Sequence, residues 1–143
     1  LFLGKQVIVA NLGDSRCYLY SSKNGLKQLS TDHSLVNELL RLGKITPEEA
    51  CNHPEKNVIT KTLGISEQAE AEIKVFDITK EDELLLCTDG LTKFVSDDMI
   101  KNVLMSTLSL EKKANQLVDM ANTAGGTDNI TTLIVQVEEG DIL

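Results

Sequence analysis

Two β-rich runs open the chain, Gln6 to Asn11 and Cys17 to Ser21, and a Gly13-Asp14 turn separates them. Asn24-Gly25 follows, a pair that favours positive φ in a tight turn, so the opening segment reads as a β-meander. Leu35, Val36, Leu39, Leu40 and Leu42 then recur at helical spacing and predict a helix over 35–42. A second, short helix is announced by Thr46-Pro47-Glu48-Glu49: a Thr cap, Pro at the first position and Glu three residues after the cap. Joined through Gly43, the two helices make a compact insertion between strands.

Residues 71–77 alternate, with Ala71, Ile73 and Val75 on one face and Glu72, Lys74 and Phe76 on the other, the pattern of a strand with one wetter face. Leu84 to Cys87 does not alternate. Its unbroken apolar run predicts a strand covered by a second sheet on one side and a helix on the other. Ser96 and Asp97 are suited to cap a helix over 98–106. A further helix over 110–123 presents Ala114, Leu117, Val118 and Ala121 on one face and stops at Gly125-Gly126. Ile130 to Val137 is the last strand. Antiparallel sheets with helices outside satisfy this order, an α+β fold without repeats or linkers.

The 143 residues are 41% apolar, enough for one domain with its own core. Fourteen basic against 22 acidic residues give a net charge of −8. That balance disfavours nucleic acid or an anionic membrane surface as partner and suits a cation, although an acidic surface also serves solubility. Cys17, Cys51 and Cys87 are far apart and odd in number, which argues against a disulfide framework and for a reducing compartment. No apolar stretch approaches the roughly 18 residues of a membrane span, and no signal-peptide pattern precedes the domain, so the expected location is cytoplasmic. The chain begins at Leu1 with a strand almost at once, as expected of a cut inside a larger protein.

The candidate chemistry lies in three acidic turns: Gly-Asp-Ser-Arg at 13–16, Thr-Asp-Gly at 88–90 and Gly-Gly-Thr-Asp-Asn at 125–129. Each sets an aspartate, Asp14, Asp89 or Asp128, beside a predicted strand. Short carboxylates fixed by a sheet can converge on a hard cation. Each also has a plain structural reading: Asp-Gly and Asp-Asn are common turn pairs, and Asp14 can serve an Asx hydrogen bond or pair with Arg16. His33 and His53 read as hydrogen-bonded structural residues, Arg16 as an anchor of its turn, Asn129 as a group orienting Asp128, and Gly90 as the residue that lets the backbone pass close to metal.

Val9-Ala10-Asn11-Leu12-Gly13-Asp14-Ser15-Arg16-Cys17-Tyr18-Leu19 resembles a strand and turn of the metal-dependent serine/threonine protein phosphatases, the type 2C or PPM family. Thr31-Asp32-His33-Ser34 and the residues after it are similar to the flap subdomain of bacterial members, including Ile45-Thr46, His53-Pro54 and Asn57-Val58-Ile59-Thr60. Leu85-Leu86-Cys87-Thr88-Asp89-Gly90-Leu91-Thr92 and Gly125-Gly126-Thr127-Asp128-Asn129-Ile130-Thr131 resemble two late motifs of the family. The resemblance runs in family order over nearly the whole chain.

It implies an αββα sandwich, with residues 1–143 as the C-terminal part of one phosphatase domain and 34–62 as a helical flap. It implies that Asp89 and Asp128 ligate the first metal of a binuclear site, and that Asp14 with Asp89 holds a third metal found in bacterial members. The ions would be Mg²⁺ or Mn²⁺. Two such ions about 3.5–4 Å apart activate a water for direct hydrolysis of phosphoserine and phosphothreonine. Phosphoproteins are then the substrates, and a Ser/Thr kinase of the same cell is opposed.

One family segment is missing from the sequence: an arginine that binds phosphate, an acidic residue near it and an Asp-Gly-x-Gly-Gly motif whose aspartate bridges both metals. Without them this chain alone is expected to be inactive or nearly so, and to expose apolar faces and strand edges that another copy or the missing segment covers. The alternative reading is a catalytically dead phosphatase-like module that binds a protein.

Overall fold

The structure, a computed structural model, describes residues 1–64 and 69–142. Among the described residues, seven strands form two antiparallel sheets. The first sheet orders β1 (Phe2–Leu3), β2 (Gln6–Asn11) and β5 (Glu72–Asp77) as β1-β2-β5. The second orders β3 (Arg16–Ser21), β4 (Gly25–Gln28), β6 (Glu83–Cys87) and β7 (Thr132–Gln136) as β4-β3-β6-β7. The chain therefore changes sheets between β2 and β3, and the turn that makes the change carries Asp14. Between β3 and β4 the expected tight turn is present, with Gly25 at φ 74°.

Residues 34–62 hold α1 (Leu35–Arg41) and α2 (Pro47–Cys51) between β4 and β5. Gly43, at φ 66°, ends the first helix by donating to the Leu40 carbonyl. The second helix has its capping box: Glu49 N donates to Thr46 Oγ1 at 3.2 Å and Thr46 N to Glu49 Oε2 at 2.7 Å. After β6 come α3 (Asp89–Thr92), α4 (Asp97–Met105) and α5 (Leu110–Thr123).

Two apolar clusters hold these layers together. Val7, Cys17, Leu29, Ile78, Leu84 and Val137 fill the space between the sheets. Tyr18, Leu85, Leu91, Ile100, Leu104, Leu117 and Ile134 fill the space between the second sheet and the helices. Strand β6 thus feeds both clusters, as its unbroken apolar run predicts. Leu86 is the exception. It pairs with Leu133 on the face shared with Leu84, and the two are 44% and 55% exposed because the first sheet does not extend over them.

The alternating segment at 71–77 also departs from a simple reading of its pattern. Its apolar face is the wet one: Ile73 and Val75 are 67% and 52% exposed, while Glu72, Lys74 and Phe76 are half-buried. Phe76 packs against the cluster between the sheets, and Lys74 reaches the Thr31 hydroxyl and Glu72. What covers a face decides its exposure, and here the described residues provide a covering layer only on the polar side. The last strand begins at Thr132 rather than Ile130: Thr88 N still donates in register to the Thr131 carbonyl, but Thr131 N donates to the Thr88 hydroxyl in place of its carbonyl.

Helix α5 buries a charge that its pattern does not announce. Lys113 shares the buried face with Leu117 and Ala121, and its Nζ donates to Glu83 Oε1 and to the Leu104 carbonyl, both at 2.6 Å. Glu83 Oε2 is buried without a hydrogen-bond partner among the described residues. Removing one member of such a pair leaves an uncompensated buried charge. Lys113→Met is therefore expected to lower the unfolding free energy by about 3–5 kcal/mol in urea titration, and adding Glu83→Leu should recover most of the loss. A small effect of the single substitution would show that water already compensates Glu83.

Candidate metal centre

Strand β6 ends at Cys87, and Thr88 turns the chain into α3 with an extended backbone, φ −80° and ψ 163°. Asp89 is thus the first residue of a helical turn rather than the end of a strand, which the sequence pattern did not separate. The Thr88 hydroxyl is not used to cap α3. It donates to the Asn129 carbonyl at 3.0 Å and accepts from Thr131 N at 3.0 Å, while Thr88 N donates to the Thr131 carbonyl at 3.1 Å. These bonds fasten the Asp89 turn to the Asp128 turn. Gly90 lets them approach: a Cβ there would sit inside van der Waals contact of the Asn129 carbonyl oxygen and 3.0 Å from its carbon. The glycine is required by the neighbouring backbone, whereas its sequence reading invoked the metals.

Across this junction Asp89 and Asp128 meet at one cation. Lys93 Nζ lies 2.6 Å from Asp89 Oδ2 and 2.7 Å from Asp128 Oδ2. Asp128 is further oriented by Asn129, whose backbone N–H donates to Oδ1 at 2.8 Å. The Lys93 ammonium, with the Asn129 N–H behind it, holds the Asp128 carboxyl below its ordinary range. In return Asp128, and after it Asp89, raise the Lys93 ammonium above its own.

Asp14 sits in the turn between β2 and β3, where Gly13 adopts φ 115°. His33 fixes that turn from both sides: its Nδ1 accepts from Gly13 N at 3.1 Å and its own N–H donates to the Gly13 carbonyl at 2.9 Å. Partial burial, and next the negative charge of Asp89, raise the Asp14 carboxyl. Arg16 does not pair with Asp14. Its Nε and Nη2 grip Asp32 at 2.9 and 2.7 Å, and its Nη1 donates to the Tyr18 hydroxyl, which donates on to Asp97. Asp32 and Lys93 are the residues that sequence reasoning missed. Lys93, four residues after Asp89 on a helical turn, was open to inference from that spacing.

The donor set sets the limits of what this site holds. Two carboxylates that share one nitrogen are close enough to share a small hard cation, but two oxygens do not complete an octahedral shell. Among the described residues, no group of three or more His, Cys, Asp or Glu side chains is arranged to hold a metal ion. Cys17 and Cys87 offer nothing here, since burial pushes their thiols up to about 11 and about 12. The residues present fit one part of a divalent-metal centre. A cavity of about 560 Å³, lined by Tyr20, Lys80, Glu83, Lys113 and Gln136, lies at the other end of the second sheet.

The raised Asp14 carboxyl has a consequence for stability. A carboxyl raised by folding contributes stability while protonated, below its unfolded value, and loses it as pH rises through the folded value. At neutral pH the ionised Asp14 then bears the cost of its partial burial and, next, of facing Asp89. In metal-free buffer Asp14→Asn is expected to raise the urea midpoint at pH 7, with the gain vanishing below about pH 4. Equal midpoints at pH 7 would show that neither burial nor Asp89 penalises the ionised Asp14.

A family model described as Protein phosphatase 2C matches residues 1–42. Serine/threonine phosphatase Stp of Listeria welshimeri is 47% identical over 131 residues, which make up 92% of this chain and 52% of that protein. The Mycobacterium tuberculosis serine/threonine phosphatase PstP/Ppp superposes with a TM-score of 0.90 at 34% identity, covering 97% of this chain and 58% of that one. The catalytic domain of the phosphatase PstP in complex with two manganese ions superposes with a TM-score of 0.84 at 32% identity, covering 97% of this chain and 56% of that one. The chain spans about half the length of the curated relatives it matches. Sequence and fold agree: the chain belongs to the protein phosphatase 2C, or PPM, family.

Proposed function

We propose that this chain is the later part of a phosphatase domain that hydrolyses phosphoserine and phosphothreonine in proteins, and that it is inactive or nearly so by itself. The observation that carries the proposal is the meeting of Asp89 and Asp128 at one cationic nitrogen across the Thr88–Asn129 junction. Asp89 and Asp128 would hold a divalent cation, Mg²⁺ or Mn²⁺, with Asp14 facing a further one. Bound there, such ions supply an activated water and neutralise charge on the phosphoryl oxygens.

The chain's own residues orient this site and leave part of it to be supplied. The Asn129 N–H aims Asp128, and His33 holds the Asp14 turn. Arg16 is spent on Asp32 and Tyr18, which supports a phosphate clamp that lies outside this chain. The open apolar faces at Leu86 and Leu133 and at Ile73 and Val75 support a covering layer from the remaining half of the domain, or from a second copy when the chain is alone. Residues 34–62 act as a flap beside the site and bear on substrate choice. Phosphoproteins are the substrates and a Ser/Thr kinase of the same cell is the opposing enzyme. Free Cys17, Cys51 and Cys87 support a reducing, cytoplasmic setting. No helix among the described residues is long and apolar enough to cross a membrane.

A second reading is a phosphatase-like binding module without catalysis. Lys93 favours it, because its ammonium occupies the space between the two carboxylates. Hydrolysis of an aryl phosphate separates the two. With Mn²⁺ this chain alone is expected to give no turnover. Adding the portion of the Listeria relative that it does not match should restore turnover, and chelator or Asp89→Asn should abolish it again. Turnover by the chain alone, lost on Asp89→Asn, would contradict the inactive-fragment proposal. A silent mixture that forms a folded complex would favour the binding module.

A further inference from the structure

We infer that Lys93 is a built-in counter-cation that holds Asp89 and Asp128 at metal-ready spacing and must swing away before a divalent ion enters. The inference rests on the metal-centre reading above. Its first support is geometry. One nitrogen touches both carboxylates, at 2.6 and 2.7 Å, and so fills the position where a shared cation would sit.

The second support is how Lys93 is mounted. Leu91 and Val95 on either side of it are buried at 0% and 1% exposure, and the backbone is pinned by Lys93 N to the Asp89 carbonyl and by Val95 N to the Leu91 carbonyl, both at 2.9 Å. The next residue, Phe94, lays its ring against Gly125 in the turn that leads to Asp128. The backbone of Lys93 is thus fixed against both carboxylate turns. Its side chain is not: it is one-third exposed, and four rotatable bonds let the ammonium reach water.

Each state then has a distinct balance. Without metal, the ammonium offsets repulsion between the Asp89 and Asp128 carboxylates that it touches. With metal, two ion pairs must break, and the displaced positive charge stays close to the incoming ion. Both effects weaken divalent binding. Partly exposed pairs are individually modest, so the combined penalty is about 3- to 30-fold in affinity. Lys93 would thereby set the ion concentration at which the centre loads, and keep the carboxylates together below it.

The test is Mn²⁺ binding to the 143-residue chain, read from the electron paramagnetic resonance of free Mn²⁺, together with its metal-free urea midpoint. Lys93→Met and Lys93→Gln are expected to bind Mn²⁺ about 3- to 30-fold tighter than the unsubstituted chain while unfolding at lower urea. Lys93→Arg, which keeps the charge, should leave the affinity close to that of the unsubstituted chain. A merely structural lysine would lower stability and affinity together. If the unsubstituted chain binds Mn²⁺ and both neutral variants bind it equally or more weakly, the inference is overturned and the metal centre stands. If no version binds Mn²⁺, the inference falls together with the metal-centre reading.

Discussion

The junction between Thr88 and Asn129 is the constraint on which the site depends. Two turns that are far apart in sequence are joined there by three hydrogen bonds around Thr88 and by a backbone approach that only a glycine at 90 permits. The bonds lie at an exposed edge, where each contributes modestly against competing water. The steric fit at Gly90 does not compete with water, and it fixes how close the two turns come. From that closeness follow the shared ion pair at Lys93, the shifted carboxyl of Asp128, and any capacity to hold a cation.

The junction stands on a scaffold anchored elsewhere. Strand β6 delivers Thr88 from the centre of the second sheet, with Leu84 fixed in the cluster between the sheets and Leu85 and Cys87 in the cluster beneath the helices. At its far end the buried Lys113–Glu83 pair ties α5 to β6. Breaking such a pair is costly even where forming it gains little, so it fixes the position of α5 more than it adds stability. The Arg16–Asp32 fork ties the start of β3, beside the Asp14 turn, to the segment after β4, and the bond from Tyr18 to Asp97 ties β3 to α4. The buried Lys113–Glu83 pair lies at the far end of β6, whereas the open apolar surface lies on the first sheet and, at Leu86 and Leu133, on the end of the second sheet next to the carboxylates.

Much of this was legible in the sequence where the signal is local. Thr46-Pro47-Glu48-Glu49 spelled its capping box, Asn24-Gly25 its turn, and Gly125-Gly126 the end of α5. Leu84 to Cys87 was legible because burial on both faces removes alternation. The misses come from contacts between distant residues. Ile73 and Val75 look like core residues by pattern, but a pattern does not say which layer is present to cover them. Lys113 has helical spacing with Leu117 and Ala121, yet only the position of Glu83 explains its burial. Asp89 and Asp128 were singled out by their turns. The spacing of Lys93 to Asp89 was legible, but its reach to Asp128 was not, because nothing in the Asp128 turn refers to Lys93.

The turns carrying Asp14, Asp89 and Asp128 are proposed to form one cation-binding centre. Paramagnetic broadening of backbone amide resonances by substoichiometric Mn²⁺ tests it most directly, because the effect falls steeply with distance from the ion. The account predicts that residues 88–90 and 127–129 broaden first, that 13–15 follow, and that chelator reverses the effect. Broadening centred instead on the acidic residues at the other end of the second sheet, around Glu81 and Glu139, would contradict it.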